Sequence, residues 1–218
     1  MLIEASAYER VLAAVGERIR ALKVGPAAMD CDVGPLIRAN QLQRVNGFLS
    51  PFMWPEIVGA ALPRPASVVA AEGRGEAAPT ADGRLIAQGN IVPEAPATGF
   101  YAKPTLIADV PADAPLAQDE VFGPVLAAMP FKDEADAIRL ANSAAYGLVA
   151  GVWTENGGRA MRMARAVKSG QLFINNYGAG GGVELPFGGV KSSGYGREKG
   201  FEALCGFSVM KTVVVKHG

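Results

Sequence analysis

The sequence predicts an α/β protein built around parallel β-strands. Between Val125 and Asn175, short apolar runs alternate with stretches of helical periodicity, and the connecting loops are short. This strand–helix–strand–helix–strand order is typical of a parallel sheet whose strands are joined by crossover helices. The chain has 218 residues, of which 50% are hydrophobic, so it is long enough to bury a core without a disulfide or a metal.

Composition and charge exclude several functional classes. Lys plus Arg and Asp plus Glu both number 21, so there is no net positive charge to favour nucleic-acid binding. No run approaches the ~20 apolar residues of a membrane span, and residues 1–17 lack the pattern of a signal peptide. Cys31 and Cys205 form neither a metal-binding spacing nor a disulfide framework. We therefore expect a cytoplasmic protein that acts on a small molecule, with no nucleic acid, membrane or metal as partner.

The N-terminal region predicts two helices. In residues 6–22, apolar side chains recur every three or four positions, with charged residues between them. Ser6 and Glu9 fit an N-terminal capping box, and Gly25-Pro26 ends the pattern. A second helix is predicted over residues 37–49.

Residues 51–98 form an atypical segment. Ala, Pro and Gly dominate it, and strands are predicted only at Val68–Ala71 and Arg84–Gln88. We expect a long, partly mobile surface excursion, because this composition offers little apolar area to offset the entropy of ordering. The apolar cluster Phe52-Met53-Trp54 is expected to dock on another part of the protein.

Regular structure is predicted again after Gly99. The predicted strands are Phe100–Tyr101, Thr105–Val110, a buried strand that starts near Val125, Leu148–Thr154 and Leu172–Asn175. The predicted helices are Asp133–Ala144 and Gly158–Ser169. A final β-branched run, Thr212–Lys216, follows the core and predicts an edge or protruding strand.

Five sequence motifs occur in a fixed order along the chain. They are Asp32-Val33-Gly34-Pro35-Leu36, Lys103-Pro104-Thr105-Leu106, Asp119-Glu120-Val121-Phe122-Gly123-Pro124-Val125, Ala141-Asn142 with Tyr146-Gly147-Leu148, and the run from Pro186-Phe187-Gly188-Gly189 to Glu198. In this order and at these spacings, they resemble the C-terminal half of the aldehyde dehydrogenase superfamily. The resemblance extends over nearly the whole chain except residues 51–98.

The resemblance implies both a fold and its organisation. Residues 1–206 are expected to form an aldehyde dehydrogenase catalytic-domain-like fold that lacks the N-terminal dinucleotide-binding domain. Residues 207–218 are expected to form a C-terminal oligomerisation strand that pairs with a neighbouring subunit. The protein would then be a homodimer or a higher homo-oligomer.

The resemblance also implies a reaction. In this family a cysteine thiolate attacks the aldehyde, a hydride passes to NAD or NADP, and a glutamate-activated water releases the acid. The cysteine lies just upstream of the segment that Met1-Leu2-Ile3-Glu4 resembles, and the base and cofactor domain lie further upstream. Cys31, between two aspartates, and Cys205, expected to be a buried thiol, are poor substitutes. We therefore expect the chain alone to be inactive as a dehydrogenase and not to bind NAD or NADP, and we assign no catalytic residue within it.

Two cofactor residues follow from the resemblance. Glu120 is implied to bind a ribose of the cofactor, and a carboxylate suits this role because it accepts hydrogen bonds from two neighbouring hydroxyls. Phe122 is implied to pack beside the nicotinamide. The alternatives are a solvated acid for Glu120 and an ordinary core ring for Phe122.

Substrate contacts are predicted at Asn175, Gly181, Leu185 and Phe187. Asn175 follows the last predicted core strand, at the edge where ligands bind in parallel α/β sheets. Gly181 belongs to the glycine-rich run 178–182, which leaves room for a substrate mouth. Leu185 and Phe187 would supply apolar walls, and the alternative for Phe187 is a core aromatic.

Three functions remain open at this point. The chain is a segment of an aldehyde dehydrogenase that needs a separate N-terminal half, a stand-alone esterase that uses the acyl-binding tunnel with an unidentified nucleophile, or a non-catalytic dimerising scaffold. Hydrolysis of an activated ester by the isolated chain would distinguish the esterase from the other two.

Overall fold

The computed structural model describes residues 1–57, 83–178 and 182–218, and leaves the side chains of 54–57 undescribed. The chain divides into two compact units, Met1–Asp133 and Glu134–Gly218, a division that the sequence pattern does not predict. Within the described residues, the helices are α1 (Tyr8–Ala21), α2 (Ala39–Ile57), α3 (Pro115–Gln118), α4 (Glu134–Ala141), α5 (Gly157–Ala166) and α6 (Gly200–Gly206).

The strands are short and form several small sheets. In the first unit they are β1 (Leu2–Glu4), β2 (Lys23–Val24), β3 (Arg84–Gln88), β4 (Asn90–Ile91), β5 (Thr105–Ala108), β6 (Val125–Ala127) and β7 (Met129–Phe131). In the second unit they are β8 (Tyr146–Gly147), β9 (Val149–Val152), β10 (Gln171–Ile174) and β11 (Val190–Lys191). Parallel pairs join β1 to β7, β2 to β4, β5 to β6 and β9 to β10, whereas β3–β5 and β8–β11 are antiparallel.

Strand β5 is the centre of the first unit. All four of its residues are buried, and it lies between β3 and β6 in a three-stranded sheet. Leu106 and Ala108 belong to the core that includes α1, whereas Ile107 belongs to the core that includes α2. Alternate side chains of a strand point to opposite faces. One strand therefore serves both cores, and each fully buried aliphatic side chain of this kind contributes about 1.5–3 kcal/mol.

Helix α1 confirms the predicted apolar face but not the predicted cap. Its buried residues include Tyr8, Leu12 and Ile19. A 3-10 turn precedes the helix, and the Ser6 hydroxyl donates to the Glu4 carboxylate at 3.4 Å rather than capping the helix. The Tyr8 hydroxyl donates to the Ala128 carbonyl at 3.1 Å. This bond holds the first turn of α1 to the residue between β6 and β7.

Helix α2 is longer than predicted, because it passes through Pro51 instead of ending near Leu49. Proline has no N–H, so the carbonyl four residues earlier, that of Gly47, loses its helical donor. The Ser50 hydroxyl donates to this carbonyl at 3.0 Å and replaces the missing bond. The helix therefore continues, and Phe52 and Met53 pack against the second core as the apolar cluster predicts.

The described part of the atypical segment confirms one predicted strand. Arg84–Gln88 is β3, which pairs with β5 through an irregularity between Leu85 and Ala87. The other prediction, Val68–Ala71, lies outside the described residues. The strand predicted at Phe100–Tyr101 is wrong: the Phe100 carbonyl accepts from Leu36 N at 2.8 Å in a loop contact and not in a ladder.

The second unit contains the predicted β–α–β crossover. Strands β9 and β10 pair in parallel with Val149 opposite Gln171, and α5 connects them. The Asn156 side chain caps α5 by accepting from Arg159 N at 2.9 Å. Helices α4 and α5 are joined by the Arg162–Glu134 ion pair at 2.6 Å, and the Arg162 hydrogen bond lowers the pKa of the Glu134 carboxyl below its ordinary value.

The C-terminal segment is exposed. Residues 207–218 carry no assigned strand, and Val213, Val214 and Val215 are all at least 67% exposed. A strand is defined by its hydrogen-bonded neighbour, and this segment has none among the described residues. The expected pairing of Thr212–Lys216 with another subunit stays a prediction. No described helix has the length and apolarity that crossing a bilayer requires.

Candidate functional site

The loop between α3 and β6 carries both predicted cofactor residues. Helix α3 ends at Gln118, and the chain reaches β6 at Val125. The Glu120 side chain is exposed, and the Phe122 ring is 71% exposed. Phe122 is therefore not a core aromatic, and both side chains are open to a ligand.

This loop lines an open pocket of about 270 Å³. Its walls are formed by the exposed carboxylates of the loop together with apolar side chains of α3, the loop and β6: Leu116, Asp119, Glu120, Val121, Phe122, Gly123, Val125 and Ala127. A carboxylate beside an exposed aromatic face can accept hydrogen bonds from a sugar diol and pack against a flat ring. These residues fit the ribose–nicotinamide end of a dinucleotide.

Helix α2 holds the backbone of the loop, which the sequence reasoning missed. Gln41 Nε2 donates to the Val121 carbonyl at 3.1 Å and also to the Phe122 carbonyl. Arg44 Nη2 donates to the Glu120 carbonyl at 2.7 Å. The only signal in the sequence was the position of both residues on one turn of a predicted helix.

Asn175 lies at the end of β10 in the second unit, as predicted. Its Oδ1 accepts from Thr154 N at 2.9 Å, and its Nδ2 donates to the Thr154 carbonyl at 3.0 Å. Its backbone is left-handed, with φ 51°. The side chain is thus engaged in joining the ends of β9 and β10, and its contact with substrate stays a prediction.

Leu185 and Phe187 lie in the second unit as well. Leu185 is 43% exposed, and Phe187 is half-buried with the Lys199 ammonium 5.6 Å from its ring centroid. The backbones of Phe187 and Glu198 exchange two hydrogen bonds of 2.6 Å. Gly181 lies outside the described residues.

Two cations, one in β11 and one in the loop after it, bind main-chain carbonyls. Lys191 Nζ donates to the carbonyls of Asn142 and Ala144, both at 2.9 Å. Arg197 Nη1 donates to the Gly189 carbonyl at 3.0 Å. Both side chains are thus engaged with main-chain carbonyls, and their contacts hold the segment that follows Phe187 in place.

Comparison with known proteins identifies the family. The model of the aldehyde dehydrogenase family matches residues 1–51 and 61–213. The chain belongs to the aldehyde dehydrogenase family. The match resumes at residue 61, so most of the segment 51–98, which the sequence reasoning set apart, falls within the family pattern.

The chain matches only part of the length of individual aldehyde dehydrogenases. A candidate aldehyde dehydrogenase from Burkholderia cenocepacia is 50% identical over the whole chain, with a TM-score of 0.82, and the match covers 40% of that protein. The Mycobacterium tuberculosis aldehyde dehydrogenase complexed with NAD+ is 34% identical, with a TM-score of 0.78 and 39% of its length covered. Betaine aldehyde dehydrogenase 1 from Rhizobium meliloti is 33% identical over the whole chain and 39% of its own length. The chain thus spans about two fifths of these relatives.

The two cysteines differ in their surroundings. Cys31 is half-buried, with its Sγ 4.0 Å from the Met29 carbonyl. Cys205 is exposed on α6, so the expectation of a buried thiol there is wrong. The apolar neighbours of Cys205 in sequence, including Leu204, are themselves exposed, because α6 buries none of its residues. Among the described residues, no group of three or more His, Cys, Asp or Glu side chains could hold a metal ion.

Proposed function

We propose that this chain is the C-terminal part of the catalytic domain of an NAD- or NADP-dependent aldehyde dehydrogenase. The family's nucleophilic cysteine, base glutamate and dinucleotide-binding domain would be supplied by other polypeptide sequence, in the same protein or in a separate N-terminal half. The observation that carries the proposal is the loop of residues 119–123, which presents an exposed carboxylate and an exposed ring at an open pocket.

The chemistry of the loop supports a cofactor-orienting role. Bound NAD or NADP supplies the hydride acceptor for aldehyde oxidation. The Glu120 carboxylate would accept hydrogen bonds from ribose hydroxyls, since none of the described residues donates to it. The Phe122 ring would pack beside the nicotinamide and limit its movement. Orienting the reacting groups in this way lowers the entropic part of the activation barrier.

The second unit would contribute the substrate contacts. We propose that Leu185 and Phe187 line the path of the aldehyde and that Asn175 and Gly181 border it. The substrate is a small aldehyde, and the betaine aldehyde dehydrogenase among the relatives makes betaine aldehyde one compound to test.

Reconstitution tests the proposal. The purified chain would be assayed for NADH or NADPH production with a panel of aliphatic, aromatic and betaine aldehydes, first alone and then fused behind the N-terminal portion of the Burkholderia cenocepacia relative. We expect no activity from the chain alone and activity from the fusion. Glu120→Gln should raise the KM for the cofactor in the fusion, whereas Glu94→Gln, a matched exposed control, should not.

Other outcomes would contradict the proposal. Steady NADH production by the chain alone, lost on mutating Cys31 or Cys205, would show that it carries its own nucleophile. Hydrolysis of an activated ester by the chain alone would favour the esterase function. A correctly folded fusion that is inactive with every aldehyde would favour the non-catalytic scaffold.

We further propose that the protein is cytoplasmic and assembles as a homodimer or a higher homo-oligomer. Support comes from the apolar side chains near the C-terminus, which are at least 67% exposed: Phe207, Val209, Met210, Val213, Val214 and Val215. Large exposed apolar patches mark sites of protein–protein contact.

A further inference from the structure

The sequence contains two Asn-Gly pairs, Asn46-Gly47 and Asn156-Gly157. The asparagine of such a pair can lose ammonia without an enzyme, because glycine has no side chain to hinder the attack of its main-chain nitrogen on the neighbouring side-chain amide. Both asparagines are exposed, and a Cβ at either glycine would meet nothing within 4 Å. Since crowding does not distinguish the two pairs, the backbone around each one decides how fast it reacts.

Asn46-Gly47 lies in the interior of α2. An interior N–H of an α-helix donates to the carbonyl four residues earlier, so the Gly47 nitrogen has a partner within the helix. Turning the Asn46 backbone to bring its amide carbon onto this nitrogen would break helical hydrogen bonds on both sides. The helix therefore protects this pair.

Asn156-Gly157 lies at the start of α5. Asn156 is the N-cap, and its backbone is extended, with φ −84° and ψ 104°. Gly157 is the first residue of the helix, and the first N–H groups of a helix have no partner within it. Among the described residues, none accepts a hydrogen bond from the Gly157 nitrogen. The attacking atom is therefore unengaged in this pair.

Two hydrogen bonds hold Asn156 to the first turn of α5. Its Oδ1 accepts from Arg159 N and its carbonyl accepts from Ala160 N, both at 2.9 Å. Gly157 and Gly158 weaken this turn, because glycine loses more conformational freedom than other residues on entering a helix. Helix ends open locally at little cost in free energy. Opening this one turn is enough to bring the Asn156 amide carbon to the Gly157 nitrogen.

We propose that Asn156 is a site of deamidation and that α2 protects Asn46 from the same reaction. The Gly157 nitrogen gives up its proton and forms a bond to Cγ of Asn156, while the Cγ–Nδ2 bond breaks and Nδ2 leaves as ammonia. The product is a succinimide ring. Water then opens the ring at either carbonyl, which gives aspartate or isoaspartate at position 156.

The two products have opposite effects on α5. Aspartate still caps the helix and adds a negative charge at its positive end. Isoaspartate lengthens the main chain by one carbon and removes the cap. Asn156 N donates to the Thr154 hydroxyl at 3.2 Å, and the main chain of Thr154 holds the Asn175 amide. Isoaspartate should therefore loosen the joined ends of β9 and β10 as well. The proposal does not depend on the proposed function.

Peptide mapping by mass spectrometry compares the two asparagines within one sample. The purified chain is incubated in mildly alkaline buffer, and the deamidated fraction at each position is followed with time, with electron-transfer fragmentation to distinguish isoaspartate from aspartate. In the folded chain, we expect Asn156 to react several-fold faster than Asn46. In urea the two should react at similar rates, because α2 no longer protects Asn46. A folded chain in which Asn46 reacts as fast as Asn156, or in which neither reacts faster than the other in urea and both stay intact, would overturn the proposal.

Gly157→Ala tests the route of the reaction. The new Cβ lies beside the attacking nitrogen and meets nothing else within 4 Å, so the variant should fold and its deamidation at Asn156 should slow several-fold. The matched change Gly47→Ala should leave the rate at Asn156 unaltered. An unchanged rate in folded Gly157→Ala would show that the amide is lost by another route and would overturn the proposal. Circular dichroism verifies that each variant is folded, and if Gly157→Ala is not, Asn156→Ser, which keeps a cap but has no amide, should abolish the more acidic species that ion-exchange chromatography separates from the aged parent.

Discussion

The close approach of Gly123 to Val45 gives a quantitative prediction about the candidate cofactor loop. A methyl group at position 123 would lie 2.4 Å from Val45 Cγ2, about 1 Å nearer than an ordinary carbon–carbon contact. The backbone at Gly123 is not left-handed, so alanine meets only this steric conflict. Overpacking of this kind costs about 1–3 kcal/mol. Taking about 2 kcal/mol, Gly123→Ala should lower the melting temperature by about 4–8 °C in a chain of this size.

Removing the opposing methyl groups should relieve the conflict. Val45→Ala alone removes two fully buried methyls and should cost about 2 kcal/mol. In the double variant the new methyl at position 123 occupies the space that Val45 vacates. The double variant should therefore be destabilised by about 2 kcal/mol rather than the additive total of about 4, a coupling within the range for residues in contact.

Urea unfolding of the single and double variants measures the coupling. Gly47→Ala on the same helix is the control, because a Cβ there meets nothing within 4 Å and alanine favours the helix. If the changes in the free energy of unfolding caused by Gly123→Ala and Val45→Ala are additive, the claim that these two residues set the distance between loop and helix is refuted. A Gly123→Ala variant as stable as the parent would refute it as well.

Three further predictions concern the second unit. Gly170→Ala should strongly destabilise the protein, because the new Cβ would lie 1.6 Å from the Gly188 carbonyl oxygen. Gly157→Ala is the control, because a Cβ there meets nothing within 4 Å and the variant should be as stable as the parent. Thermal unfolding compares the melting temperatures of the two variants. Arg162→Gln should raise the pKa of the Glu134 carboxyl, measured by NMR titration. Since the paired carboxylate has a lowered pKa, its stabilising effect is present above the ordinary carboxyl pKa and is lost as the pH falls through the lowered one, so parent and variant should converge in stability at acid pH. Deleting residues 211–218 should shift an oligomer toward monomer or aggregate in light scattering, and a monodisperse monomer of the intact chain would contradict the oligomer proposal.

Helical and strand periodicity determined most of the element types. The apolar positions of α1 recur with the helical period, and Tyr8, Leu12 and Ile19 are buried as that period requires. The alternation after Val125 gave the β9–α5–β10 unit within a few residues at each boundary. Element ends were less predictable, because they depend on hydrogen bonds that periodicity does not show. The Ser50 hydroxyl that carries α2 past Pro51 is one such case.

The candidate site was only partly accessible from the sequence. The motif around Glu120 and Phe122 located the loop, and the structure shows both side chains exposed there. The motif could not show which donors hold the loop. Gln41 and Arg44 are 76 to 81 residues away from the carbonyls that they bind, so no local pattern links them.

The sequence by itself determined the family, the alternation of strands and helices, and the motif that carries the predicted cofactor residues. Each of these features can be recognised from residues that are close together in sequence, either as a hydrophobic period or as a run of adjacent residues. Only the tertiary structure decided that the Asn175 amide is engaged with Thr154, that Cys205 is exposed, and that one turn of α2 fixes the backbone beneath Phe122. These features depend on which distant groups meet after folding, because a side chain's partners and exposure are set by packing across the fold and not by its neighbours in sequence.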